Sequence, residues 1–234
     1  MKQEPYVKLL TSSDFQKLSD DELIIENQQF RQQQKYNFYR LAFDYISENE
    51  IHGDYHEYGV HKCRTFRMAL TEAFRYRLIS MNFWAFDSFE GLPPSESHSN
   101  SLWSSGALAT SELTFKSLIN NHGLFVDNVK IIKGFYNQSL TNDFAKKMLD
   151  EENKIAMVTV DCDLYESAVP VFKFISNLIQ PGTIIYIDDV FVGNKGQTSL
   201  GVWKAWEEFI AESRFNFVPF LSVGWWGKSF IVNF

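Results

Sequence analysis

Acidic residues stand where the apolar runs of this chain stop. Glu57 lies near the end of DYHEYGV, Asp87 closes MNFWAFD, Asp161 and Asp163 follow KIAMVTV, and Asp188 and Asp189 close TIIYIDD. Carboxylates gathered at one edge repel each other unless a cation or ligand hydroxyls separate them. Hard oxygen donors of this type suit Mg²⁺ or Ca²⁺, in a site that keeps positions for water or substrate oxygens. Asp87 has a separate use, since an acid at the end of the second strand of a nucleotide-binding sheet accepts the ribose hydroxyls of an adenosine-containing cofactor. Asp163, just before Leu164-Tyr165, also reads as a simple helix N-cap. Asp188 with Asp189, followed by Val190 and Phe191, has no such capping need.

Positioning these acids requires strands that end side by side. Beyond His52 the chain alternates apolar runs with segments of helical periodicity. KCRTFRMALTEAFRYRL sets Phe66, Ala69, Leu70, Ala73 and Phe74 on one face, and YESAVPVFKFISNLI sets Tyr165, Ala168, Val169, Phe172, Ile175 and Ile179 on another. Pro181-Gly182 is expected to end that second helix, and Pro170 falls in its early turns, where a missing N–H costs less. KIAMVTVD and TIIYIDD read as central parallel strands buried on both faces. The pattern predicts an α/β, doubly wound, mostly parallel sheet whose right-handed crossovers bring the strand C-termini to one edge. FNFVPFL and KSFIVNF, separated by GWWG, predict a reversed strand at the C-terminal edge. Residues 1–50 read as a helical segment with a start signal at Ser12-Ser13-Asp14 and a packing face of Phe38, Leu41, Ala42, Tyr45 and Ile46. Its Gln-rich stretch reads as a solvated helix face. Residues 51–234 form the ligand-binding domain, with a Ser-, Asn- and Gly-rich loop at 95–111 as a candidate lid.

Other chemistries find little support. EYGVHKCRT offers only Gly59 where a phosphate-cradling loop needs three glycines, which disfavours a nicotinamide-dependent oxidoreductase, and there is no phosphate-binding GxxxxGK[ST]. Ser88 and Ser105 lack the G-x-S-x-G setting of a hydrolase nucleophile. His52 and His56 read as surface residues, and Cys63 and Cys162 as small semi-buried ones. With 22 Lys and Arg against 29 Asp and Glu, the 234-residue chain carries a net charge of −7 and has no basic cluster, so no nucleic-acid partner is expected. No apolar run approaches the roughly 18 residues of a membrane span and no signal segment opens the chain, which reads as cytoplasmic with no membrane partner. Aromatic residues reach 16%, more than a core alone suggests, and could line a cavity for something flat or greasy.

FWAFDSFEGLPP (83–94), VTVDCDLYESAVPVF (158–172) and IIYIDDV (184–190), in that order, resemble the TylF/MycF group of macrolide-sugar O-methyltransferases. The resemblance implies a Rossmann-like methyltransferase fold, S-adenosyl-L-methionine and a divalent cation, Mg²⁺ or another. Asp87 then matches the acid that holds the cofactor ribose, and Ser88 beside it joins the cofactor-binding set. Glu57 and Gly59 match the E-x-G beside the methionine moiety, and Gly134 and Phe135 match an element near the adenine. Asp161, Asp188 and Asp189 match the metal ligands. Asp161 is also the expected general base, with Asp163 in reserve. The implied partners are a small-molecule acceptor with vicinal oxygens and further copies of the same chain, as a dimer or higher oligomer. A catalytically silent cofactor-binding protein acting through a partner surface is the competing reading, and the intact set of three aspartates speaks against it.

Overall fold

The expected apolar runs become the strands of one sheet. The computed structural model describes residues 10–94 and 104–234. Two N-terminal helices, α1 (Ser12–Phe15) and α2 (Asp20–Glu48), precede β1 (Asp54–Tyr58), α3 (Arg64–Arg75), β2 (Phe83–Asp87), α4 (Glu112–His122) and β3 (Val129–Lys133). Then come α5 (Tyr136–Ser139), α6 (Asn142–Asp150), β4 (Ile155–Val160), α7 (Tyr165–Ile175), β5 (Ile179–Ile187), α8 (Gly201–Glu212), β6 (Asn216–Val223) and β7 (Gly227–Asn233). The sheet order is β3-β2-β1-β4-β5-β7-β6. The first five strands are parallel, and β7 runs antiparallel to both its neighbours. The reversed strand is therefore β7, one place in from the edge, with β6 outside it. Strand order switches direction between β1 and β4, which is where such sheets open a crevice at the strand C-termini.

Helices cover both faces. Buried side chains of α2, α3 and α4 pack on one side of the sheet, and those of α6, α7 and α8 on the other. With no solvated face, the central strands have no surface positions. His56, expected at the surface, is accordingly fully buried in β1 between Trp84, Phe86 and Tyr58, at ring-centroid distances of 6.0, 5.3 and 6.2 Å. Burial lowers its pKa to about 3, so it stays neutral. Cys63 and Cys162 are buried free thiols.

The helices depart from the expected faces in detail. The Ser12 signal opens only the four-residue α1, capped by Thr11, and the long helix starts at Ser19, whose capping box with Glu22 supplies the orphan N–H groups with partners. In α2 the buried residues are Phe38, Tyr39, Ala42, Phe43 and Ile46, so the packing face is rotated from the expected one and Leu41 faces outward. Phe74 in α3 and Val169 in α7 are likewise exposed. Pro181-Gly182 does not end α7, which stops at Ile175. The pair lies inside β5, where Ile155 pairs with Ile179 and Met157 with Ile184, so the extra residues bulge out. A central strand tolerates proline at such a bulge because no ladder N–H is required there. Among the described residues no helix is long and apolar enough to cross a membrane.

Candidate active site

The C-terminal ends of β1, β2, β4 and β5 open into a cavity of about 240 Å³. Gly59, Asp87, Ser88, Gly134 and Phe135 line one part of it, and Asp161, Asp188 and Asp189 line another. Of the residues singled out from sequence, Glu57 alone is off the wall. It lies fully buried behind it, accepting hydrogen bonds from the Tyr55 hydroxyl and from the Thr65 hydroxyl at 2.7 Å. Thr65 does line the cavity.

The β1–β2 side is shaped by backbone. Gly59 has φ +92°, and a Cβ there would collide with the backbone carbonyl of Asp161, so only glycine lets the ends of β1 and β4 run this close. Asp87 accepts the Val60 N–H at 2.9 Å and the Phe89 N–H at 2.7 Å, one on each carboxylate oxygen. Its carboxylate thereby sets both loops of the rim while facing the cavity. The Ser88 hydroxyl is committed to its own turn, donating to the Gly91 carbonyl at 2.7 Å. Gly134 N–H donates to the Asp87 carbonyl at 2.9 Å, which continues the β2–β3 pairing to the rim.

On the β4–β5 side, Asp161, Asp188 and Asp189 each present an oxygen, all within 4.8 Å of one another. The Tyr186 hydroxyl donates to Asp188 Oδ1 at 2.7 Å and fixes that carboxylate. Burial, with the charge of Asp188 next in weight, pushes the Asp161 and Asp189 carboxyls well above the ordinary range, and Lys35 partly offsets this. Asp163 is not the cap of α7. Leu164 holds that position without a side-chain bond, and Asp163 sits in the left-handed region at φ +60°, on the cavity wall.

The wall facing these acids comes from α2 and was not legible from sequence as part of the site. Gln28, Arg31, Gln32 and Lys35, spaced i, i+3, i+4, i+7 on one face, line the cavity where a solvated face was expected. Lys35 Nζ pairs with Asp161 Oδ2 at 3.4 Å and with Asp188 Oδ2. Arg31 stacks over Trp226, 5.3 Å from its ring centroid. Gln32 Oε1 is buried without a hydrogen-bond partner. Across the opening, His61 Nδ1 is 2.5 Å from the Leu108 carbonyl, and Leu92 and Ala107 pair through their backbones at 3.0 Å. These bonds pin residues 104–110 over the rim; the 95–103 portion of the expected lid lies outside the described residues.

The cavity sets Asp87, whose carboxylate could accept from ligand hydroxyls, beside three carboxylates whose oxygens are close enough to share a cation. Residues 30–229 match the macrocin-O-methyltransferase (TylF) family. The chain belongs to that family. The TylF match begins within α2, upstream of the motifs that carry the resemblance, and so takes in Arg31, Gln32 and Lys35. A relative from Streptomyces olivaceus, 8-demethyl-8-(2,3-dimethoxy-alpha-L-rhamnosyl)-tetracenomycin-C 4'-O-methyltransferase, is 26% identical over 113 residues, a stretch that is 45% of this chain and 41% of that protein. Two solved structures share the fold of this TylF-family chain. The O-methyltransferase NovP superposes with a TM-score of 0.69 at 18% identity, over 86% of this chain and 80% of its own. CalS11, a calicheamicin methyltransferase, gives 0.70 at 14% identity, over 96% and 94%.

Proposed function

We propose that this chain is an S-adenosylmethionine-dependent, divalent-metal-dependent O-methyltransferase. Its acceptor is a hydroxyl of a small molecule, a sugar moiety or another vicinal-oxygen group of a natural product. The observation that carries the reading is the meeting of Asp87 and the Asp161/Asp188/Asp189 cluster in one cavity at the sheet's switch point, in a TylF-family chain.

The residues fit both ligands. Three carboxylates facing one ammonium leave an excess of negative charge that a divalent cation would neutralise, and oxygen donors are what Mg²⁺ prefers. Gly59 lets β1 and β4 close up at the cavity wall, and Asp87 offers oxygens to ribose hydroxyls. When bound, S-adenosylmethionine supplies an electrophilic methyl on a sulfonium. Asp161, Asp188 and Asp189 would hold the cation, which would supply Lewis acidity toward acceptor oxygens.

The chain's own groups do the rest. Asp161 takes the proton of the reacting hydroxyl on a carboxylate oxygen. Asp188, oriented by Tyr186, and Asp189 hold charge of the opposite sign to the ion. Gln32 and Arg31 line the cavity from α2, with Trp226 beneath the Arg31 guanidinium. Holding acceptor and methyl donor in line supplies much of the acceleration. The test is transfer of radiolabelled methyl from S-adenosylmethionine to a panel of nucleotide-linked and aglycone-linked deoxysugars, with Mg²⁺ or with chelator. Asp161→Asn should lower the rate by about 10²–10⁴ while leaving cofactor binding in place. Unchanged turnover in that variant would remove Asp161 as the base.

A further inference from the structure

Lys35 stands where the acceptor-side groups of α2 meet the carboxylate cluster, and it is placed with unusual definition for a lysine. Its side chain is only 13% exposed. Its ammonium contacts Oδ2 of Asp161 and Oδ2 of Asp188 at once. The helix that carries it is anchored one turn further on. Phe38 packs on Tyr186 with ring centroids 4.7 Å apart, and the Tyr39 hydroxyl bonds Tyr55 at 2.9 Å and Thr159 at 2.8 Å. Tyr186 is the same residue whose hydroxyl orients Asp188. The backbone of α2 is thus fixed relative to the cluster, and the freedom that remains is in the four-carbon stem of the lysine.

Two cations compete at these carboxylates. A divalent ion held by Asp161, Asp188 and Asp189 draws on two of the carboxylates that the ammonium now contacts, and the two positive charges repel at contact distance. A carboxylate trio without any cation is costly to bury, so a resident ammonium stabilises the ion-free protein. We propose that Lys35 is a built-in counter-ion that competes with the divalent cation for the Asp161/Asp188/Asp189 cluster, and that the ion enters by displacing its side chain. This inference rests on the metal reading given above.

The experiment is titration of the full chain with Mn²⁺, read by the loss of free-ion electron paramagnetic resonance signal and by the ion-induced rise in melting temperature. It compares the unaltered protein with Lys35→Met, Lys35→Gln and Lys35→Arg. Removing the ammonium in Lys35→Met or Lys35→Gln should tighten Mn²⁺ binding on the order of tenfold or more, the size of effect that groups around a metal site exert. The melting temperature without ion should fall in both, and the rise on adding Mn²⁺ should exceed that of the unaltered protein. Lys35→Arg, which keeps the charge, should bind no more tightly than the unaltered protein. Equal or weaker Mn²⁺ binding in both neutral variants would overturn the competition while leaving the metal site standing. No Mn²⁺ binding to any of the four folded proteins would overturn the metal reading itself.

Discussion

Replacing Glu57 with glutamine should change how the fold responds to pH. Glu57 is completely buried, and burial raises its pKa from 4.5 to about 7, although the Tyr55 and Thr65 hydroxyls and the charge of Lys35 pull the other way. Between those values the unfolded chain has released a proton that the folded chain keeps, so stability falls as pH rises through the window. At about 1.4 kcal/mol per pKa unit, the shift is worth about 3 kcal/mol by pH 8. His56, its neighbour, acts oppositely. Its pKa falls from 6.5 to about 3, so the unfolded chain takes up a proton that the folded chain refuses, and stability is lost as pH drops below 6.5. The two slopes oppose each other between pH 4.5 and 6.5, which hides both in the unaltered protein. Glutamine keeps the shape and stays neutral, and the Thr65 hydroxyl can turn to accept from its amide. Urea unfolding of both proteins at several pH values isolates the term. The stability of Glu57→Gln relative to the unaltered protein should grow by about 3 kcal/mol from pH 4.5 to 8, roughly 6–12 °C in melting temperature for a chain of this size. Two parallel pH profiles, whatever their offset, would refute the assignment of a buried, proton-retaining Glu57.

Gly59→Ala should cost more than about 2 kcal/mol of stability in urea unfolding, because the left-handed backbone strains a Cβ and that Cβ meets the Asp161 carbonyl. The same variant should weaken S-adenosylhomocysteine binding, measured by calorimetry, since β1 and β4 must part at the cavity. Tyr39→Phe removes the hydroxyl that links α2 to Tyr55 and Thr159, and should cost about 1–2 kcal/mol in the same unfolding assay.

The sheet and its acids were legible because a parallel strand buried on both faces is an uninterrupted apolar run, and its end is marked by the first charge. Asp87, Asp161 and the Asp188-Asp189 pair all stand at such ends, and all line the cavity. The contribution of α2 was not legible. Gln28, Arg31, Gln32 and Lys35 form the same polar stripe whether they face water or a cavity, and only the docking of Phe38, Tyr39 and Phe43 on the sheet decides which. The i, i+3, i+4, i+7 spacing was the available signal, and it fixes a shared face without saying what lies opposite. His56 failed for a related reason, since a polar residue in a strand looks solvated until both faces of the sheet are seen to be covered. The Pro181-Gly182 bulge hid the start of β5, because that dipeptide punctuates chains far more often than it sits inside a central strand.

Calorimetric titration of the purified protein with S-adenosylhomocysteine tests the central claim most directly, alongside NAD and the Asp87→Ala variant. Micromolar binding of S-adenosylhomocysteine, its loss in Asp87→Ala, and no binding of NAD are expected. Absence of S-adenosylhomocysteine binding to the folded protein, or binding that survives Asp87→Ala undiminished while NAD also binds, would contradict it.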